Sequence, residues 1–205
     1  MREKGFTLVE VMVALGVMTI SAMALFGMQA QATRANVRAR DMTVASQIAQ
    51  NAIERLKLDG LAWNTIADPV SDLRNTSWLN LINAATPGDF MSMPEATDPT
   101  RAGTTPVLSN GFDLYGIQVP ISGATAAELA AIRYCSSMRL GWIYNTNRVI
   151  RADVRVWWSK ELPTRAIMSD FPNCADDDSA LRPGGALFAN YHTVYLSTVI
   201  RPHPM

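Results

Sequence analysis

The chain is poor in almost everything that catalysis draws on. Its 205 residues include two cysteines and two histidines, and the two histidines are too few for a typical zinc site. No nucleophile elbow, phosphate-binding glycine loop or metalloprotease motif occurs in it. It has no excess charge of either sign, since 18 Lys and Arg balance 18 Asp and Glu. No whole-chain field therefore draws it to nucleic acid or to an anionic membrane. These absences exclude most enzyme classes, name no cofactor and no metal, and leave a structural or binding role. Glycine and proline are missing from Gln29 to Leu58, so the common helix breakers are absent there. Between Phe6 and Met28 charge itself is almost missing, with Glu10 the one exception.

What is present begins with that apolar run. Phe6–Met28 covers 23 residues. As a helix it is roughly 35 Å long, enough to cross about 30 Å of hydrocarbon. An ordinary secretory signal is shorter and ends at a small-residue cleavage site. Here the helical pattern runs on past the apolar segment without a break, and the expected cut lies before it, at Gly5–Phe6. Removing Arg2, Glu3 and Lys4 with the leader leaves 16 basic and 17 acidic side chains. Arg2 and Lys4 ahead of the helix favour a cytoplasmic N-terminus by the positive-inside rule. The bulk of the chain is then extracytoplasmic, where disulfides persist. Cys135 and Cys174 either pair or stand as two separate buried thiols. If paired, they close a loop of about 40 residues that stabilises the fold by roughly 4 kcal/mol.

Helical spacing continues past Met28. Ala35, Ala39, Met42, Ala45, Ala49, Ala52, Ile53 and Leu56 recur at three- and four-residue steps, with charged residues on the remaining faces. Asp59-Gly60 marks the expected C-terminal stop. The whole helix, Phe6 to about Leu58, is then roughly 80 Å long. Residues 76–85 suggest a brief helix, and the prolines and glycines of 86–111 a loop. From Phe112 the pattern turns to strands. A strand is expected over Phe112–Pro120, then a short helix opened by the capping box Thr125-Ala-Ala-Glu128 and running to about Arg133. Alternation around Met138–Tyr144 and Ile150–Trp158, with a turn at Asn145–Asn147, predicts a hairpin with one buried and one wet face. A last strand spans His192–Ile200. The fold class expected is α+β, with antiparallel strands covering the amphipathic half of the long helix.

Glu10 demands an account. A lone acid facing lipid costs on the order of 2.5–3.5 kcal/mol at a helix centre, and buried charges persist when paired. Cleavage after Gly5 creates a cationic amine on Phe6, and a carboxylate on the fifth mature residue can pair with the amine of a neighbouring subunit. Gly-Phe-Thr-Leu-Val-Glu followed by Val-Met-Val-Ala-Leu resembles the N-terminal signature of type IV prepilins and pseudopilins. The resemblance covers about the first 30 residues. It implies cleavage by a prepilin peptidase after Gly5, N-methylation of Phe6, and an assembly role for Glu10. It also implies a type IV pilin fold, a long N-terminal helix laid on an antiparallel sheet. Major pilins often carry a helix-kinking proline near the position of Gly27, so its absence points to a minor subunit.

A looser likeness selects among these. The start Glu-Val-Met-Val-Ala-Leu, the segment Val154-Arg155-Val156-Trp157 and the ending Thr193–Pro202 resemble the PilV-type minor pilins. That resemblance implies a subunit that primes or caps a type IV pilus, with other minor pilins, the major pilin, and platform and tip proteins as partners. The expected location is the inner membrane and then the pilus. The expected divisions are a leader at 1–5, a transmembrane and assembly half-helix at 6–28, an amphipathic half at 29–60 and a periplasmic globular part at 61–205. A minor pseudopilin of type II secretion, and a tip adhesin or DNA-uptake pilin, are the alternatives. Near-neutral charge speaks against nucleic acid as a partner. Asp176-Asp177-Asp178 offers carboxylates but lacks the spacing of a calcium loop. His192 and His203 read as a strand and a tail residue. Arg34, Arg38 and Arg40 form a small basic patch, and Tyr191, Tyr195 and Trp157 are candidates for an exposed subunit interface.

Overall fold

A computed structural model describes residues 7–63, 73, 76–83, 89–93, 111–119, 125–143, 149–160, 167, 174, 181 and 184–202. Helix α1 runs unbroken over Leu8–Leu61. The chain divides into two compact units, Met1–Met42 and Thr43–Met205, so α1 forms the described part of the first and contributes its last turns to the second. In the second unit Ala45, Ile48, Ala49, Ala52 and Leu56 are buried against the sheet. Three of those five are alanines, whose short side chains let the helix backbone come close. The expected stripe is therefore shorter than its periodicity. Met42 is 58% exposed and Ala35 and Ala39 are exposed, while Ile48 belongs to the stripe.

Six antiparallel strands are found among the described residues. They are β1 (Met91–Ser92), β2 (Gly111–Phe112), β3 (Gln118–Val119), β4 (Tyr134–Trp142), β5 (Ile150–Ser159) and β6 (Tyr191–Ile200). Their order is β3-β2-β4-β5-β6, with β1 also on β4. Helix α2 (Ala126–Ala131) carries the expected capping box. The Thr125 amide donates to the Glu128 carboxylate at 2.7 Å, and the Glu128 amide donates to the Thr125 hydroxyl at 3.3 Å. A 3-10 turn at Leu79–Asn83 stands within the expected 76–85 helix. This is the α+β arrangement anticipated from the sequence, and it is consistent with a type IV pilin fold.

Three local expectations are corrected. The single strand expected over Phe112–Pro120 is a tight hairpin of β2 and β3. The Asp113 carboxylate accepts the amides of Tyr115 and Ile117, both at 2.8 Å, and Gly116 turns the chain at φ +78°, a region glycine enters without a steric penalty. The helix stop expected at Asp59-Gly60 comes at Leu61. The Asp59 carboxylate accepts the amides of Ser77, Trp78 and Leu79, each at 2.8 Å, tying the 3-10 turn to the helix end. Gly60 lies so near β6 that a Cβ there would stand 2.7 Å from Ile200 Cγ2. The third correction concerns the wet face. On β5, Asp153, Arg155 and Trp157 are buried, and Arg151 alone is exposed. The loop 86–111, the turn Asn145–Asn147, Asp176–Asp178 and His203 lie largely or wholly outside the described residues.

Two apolar clusters lie one on each side of the sheet, and Trp157 belongs to the outer one. The helix-side cluster joins the α1 residues to Tyr134, Met138, Leu140, Ile150, Ala152, Val154, Val156 and Trp158. The second, on the outer side, joins Cys135, Trp157, Ile132, Ile167, Cys174, Leu181 and Tyr191. Cys135 and Cys174 are linked by a disulfide within it, so the connection between β5 and β6 is tied to β4 where Trp157 packs. Each large side chain fully buried contributes roughly 1.5–3 kcal/mol.

The outer face also holds a polar row. Arg139, Asp153 and Ser197 are directly opposite one another on β4, β5 and β6. Asp153 Oδ2 accepts from Arg139 at 2.8 and 3.2 Å, and Oδ1 accepts from Arg151 at 2.9 Å and from the Ser197 hydroxyl at 2.6 Å. Burial pushes the Asp153 carboxyl up, but the hydrogen bonds from Ser197, Arg139 and Arg151 outweigh it and hold the group below its ordinary range. One row on, Arg155 is fully buried, with its guanidinium 4.1 Å from the Phe90 ring centre, a cation–π contact strengthened by exclusion of water.

Replacing both cysteines with serine is expected to lower unfolding free energy by about 4 kcal/mol, measured by denaturant unfolding at pH 7. Asp153→Asn is expected to cost about 1–3 kcal/mol at pH 7. A lowered folded-state pKa stabilises above the unfolded value, near 4, and that stability is lost as pH falls through the folded one. The gap between Asp153→Asn and the parent should therefore close below about pH 4, as read by thermal melts across pH.

Candidate functional site

The candidate site is the segment that folding leaves uncovered. From Leu8 to Met28 the side chains of α1 are exposed, apart from partial cover at Ala22. They include Val, Leu, Ile, Met and Phe residues, with Phe26 68% exposed. Soluble monomers rarely leave so large a contiguous apolar surface in water. The helix is long and apolar enough to cross a membrane, and none of its most apolar stretch is buried within the chain.

Local hydrogen bonding fits that non-aqueous destination. Thr19 Oγ1 donates to the Gly16 carbonyl at 2.8 Å, and Ser21 Oγ to the Val17 carbonyl at 2.9 Å. Both hydroxyls are thus satisfied by their own helix and ask nothing of water. Small residues such as Ala14, Gly16, Ser21, Ala22 and Ala24 allow close approach of another helix.

Glu10 sits in the first turn of α1. Its amide donates to the Thr7 hydroxyl at 3.3 Å and to the Thr7 carbonyl at 3.1 Å, so Thr7 starts the helix three residues before the acid. The N-terminal end of a helix carries partial positive charge, which favours a carboxylate there. Once the segment leaves water, that local field does not replace lost hydration, and a carboxylate stays charged there when it is paired. Gly5 and Phe6 lie outside the described residues.

The other candidates fall on other parts of the chain. Arg34, Arg38 and Arg40 are exposed along α1. Tyr191 and Trp157 are 2% and 0% exposed, because the outer cluster covers them, so they form no exposed interface. Tyr195 keeps half its surface and stacks edge-on with Phe90. His192 stands on β6 beside Trp158, with ring centres 5.3 Å apart. Among the described residues no cluster of three His, Cys, Asp or Glu is arranged to hold a metal. The Asp153 row went unread in the sequence. Its one signal was the sequence Arg151-Ala-Asp153-Val-Arg155, an acid between two bases on one strand face.

Comparison with known proteins bears on the N-terminal segment. Over residues 1–26, which include Gly5, Phe6 and Glu10, the chain matches the family described as "Prokaryotic N-terminal methylation motif". No curated protein and no solved structure matches it. The motif implies processing by a prepilin peptidase and assembly with pilus components, and with the apolar helix it fits a membrane-anchored protein. Motif and fold together support a type IV pilin- or pseudopilin-like protein.

Proposed function

We propose that this chain is a minor pilin of the PilV type, which primes or caps a type IV pilus together with other minor pilins. The observation that carries the reading is Glu10, a lone carboxylate in the first turn of an exposed apolar helix and inside the matched methylation motif. In this reading residues 1–5 are a leader removed at Gly5–Phe6 by the prepilin peptidase, and Phe6 is then N-methylated. Residues 6–28 hold the subunit in the inner membrane, with a cytoplasmic N-terminus and residues 61–205 in the periplasm. Residues 29–60 continue the helix to the globular part. Its partners are the other minor pilins, the major pilin, and platform and tip proteins. Its work is structural rather than catalytic.

The mechanism is a change of solvent. In the membrane, Leu8–Met28 is surrounded by lipid. During assembly the same surface passes into a bundle of similar helices, where small residues permit close packing. Glu10 then meets the Phe6 amine of a neighbour and fixes the axial register, because any other register leaves both charges buried and unpaired. A minor pseudopilin of type II secretion would use the same chemistry in a different filament, and identification of the co-assembled subunits separates the two.

Gly5→Val should keep the leader attached, and N-terminal sequencing of the membrane-extracted protein should then begin at Met1. A mature Phe6 start in that variant would refute the cleavage site. Glu10→Ala should be processed and membrane-bound like the parent yet depleted in sheared filaments by more than about a hundredfold. That loss corresponds to the roughly 3–5 kcal/mol lost when one member of a buried ion pair is removed. Immunoblots of sheared and membrane fractions read the outcome, and parental levels in the filament would refute the register role.

A further inference from the structure

The two borders of the sheet are built differently. One is broken into β1, β2 and β3, each two residues long, and short strands are one way that natural sheets keep an edge from pairing. The other is β6, ten residues long, which pairs with β5 alone among the described residues. We propose that the free edge of β6 receives an extended, uncharged segment of a co-assembled subunit, which adds one strand to the sheet.

The direction of the backbone groups is the first argument. The Lys160 amide donates to the Asn190 carbonyl at 2.9 Å, one step beyond the Ser159–Tyr191 pair. Bonded and non-bonded pairs alternate along an antiparallel ladder. Val194, Leu196 and Thr198 therefore bond to β5, and Thr193, Tyr195, Ser197 and Val199 turn their amides and carbonyls outward. The Ile143 amide, which donates to the Val149 carbonyl at 2.9 Å, sets the same phase on the β4 side of β5. The four outward residues span about 20 Å, and their backbone groups bond to no other described residue. Such a row of donors and acceptors at a two-residue repeat matches the ladder of another strand.

The second argument is what β6 lacks. It has no Lys, Arg, Asp, Glu or Pro, and its register with β5 runs without a bulge. The devices by which exposed edges repel a newcomer are therefore missing. Side chains set the character of the added segment. Val194 and Leu196 pack against the helix-side cluster and stay partly exposed, so aliphatic residues on one face of the segment would cover that border of the core. A charged residue in that row would lose water and find no partner. On the outer face Tyr195 and Val199 are half exposed and also uncharged.

The source of the strand rests on the pilus reading. Two β6 edges pairing antiparallel would relate two copies by a two-fold axis, whereas successive subunits of a filament meet head to tail. The added segment is therefore not the β6 of a second copy.

The test uses the full chain in detergent micelles and an N-acetylated heptapeptide amide of alternating threonine and valine. Every second amide of the peptide is N-methylated, so that one edge can pair and the peptide cannot stack on itself. Amide hydrogen exchange is the readout. Thr193, Tyr195, Ser197 and Val199 should exchange fast in the chain alone and at least about tenfold more slowly with peptide. Val194, Leu196 and Thr198 should be slow in both, and a peptide methylated at every amide should change nothing. Val199→Pro removes an outward amide and no bond to β5, so it should melt near the parent yet bind the peptide at least about tenfold more weakly. It should also be processed like the parent and be depleted in sheared filaments by at least about tenfold. Unchanged exchange at the outward amides, or equal slowing of both sets, overturns the proposal. Outward amides already protected without peptide, and exposed on dilution, overturn it in favour of self-pairing. Parental entry of Val199→Pro into filaments that exclude Glu10→Ala overturns this proposal alone, whereas entry of both variants overturns the pilus reading as well.

Discussion

The sheet and α1 can share a core because alanines stand where the helix comes nearest. Ala45, Ala49 and Ala52 carry no bulk that would hold the backbone away, so Ile48 and Leu56 join Met138, Val154 and Val156 in one buried cluster. The close approach of β6 to the helix end at Gly60 obeys the same constraint. Larger residues at those positions would push the helix outward and leave the inner strand faces partly wet. Without that contact the second unit has no helix-side core.

The sheet is covered on its other side by different means. There the disulfide, Trp157 and Tyr191 make a compact apolar cluster at one end, while Asp153 binds three strands together through charge-assisted hydrogen bonds towards the other. Arg155 lies between them under Phe90. A strand that is apolar on one face and alternates Arg, Asp, Arg and Trp on the other thereby becomes buried on both.

How much of this was legible depended on how local the cause was. The long helix, the β4–β5 hairpin, the last strand and the Thr125–Glu128 cap follow from periodicity or from residues three apart. The N-terminal segment was the most readable of all, since an acid in an apolar run is visible without any fold. The burial of Arg155, Asp153 and Trp157 was not legible. Polar alternation reports which residues share a face and is silent on whether another segment covers it, and Ile167, Cys174 and Leu181, which cluster with Trp157, are scattered through a stretch with no period. Asp59 was legible as the place where the helix ends but not for what it does there, since its partners are amides eighteen to twenty residues away. Gly116 and Asp113 broke the expected strand because an aspartate folding back on its own backbone competes with strand pairing.

The pairing of β5 with β6 carries a consequence for the order in which the molecule can form. β4 and β5 are near neighbours in sequence and can join early, but the second edge of β5 waits for residues 191–200, and the end of α1 waits for Ile200 to meet Gly60. Closing such distant contacts costs loop entropy before it is repaid, which slows folding. A nascent chain emerging from its N-terminus therefore holds a sticky half-sheet, with Val154 and Val156 uncapped along one border, until the final strand arrives. The domain cannot shield itself until residues 191–200 have been made and have paired with β5.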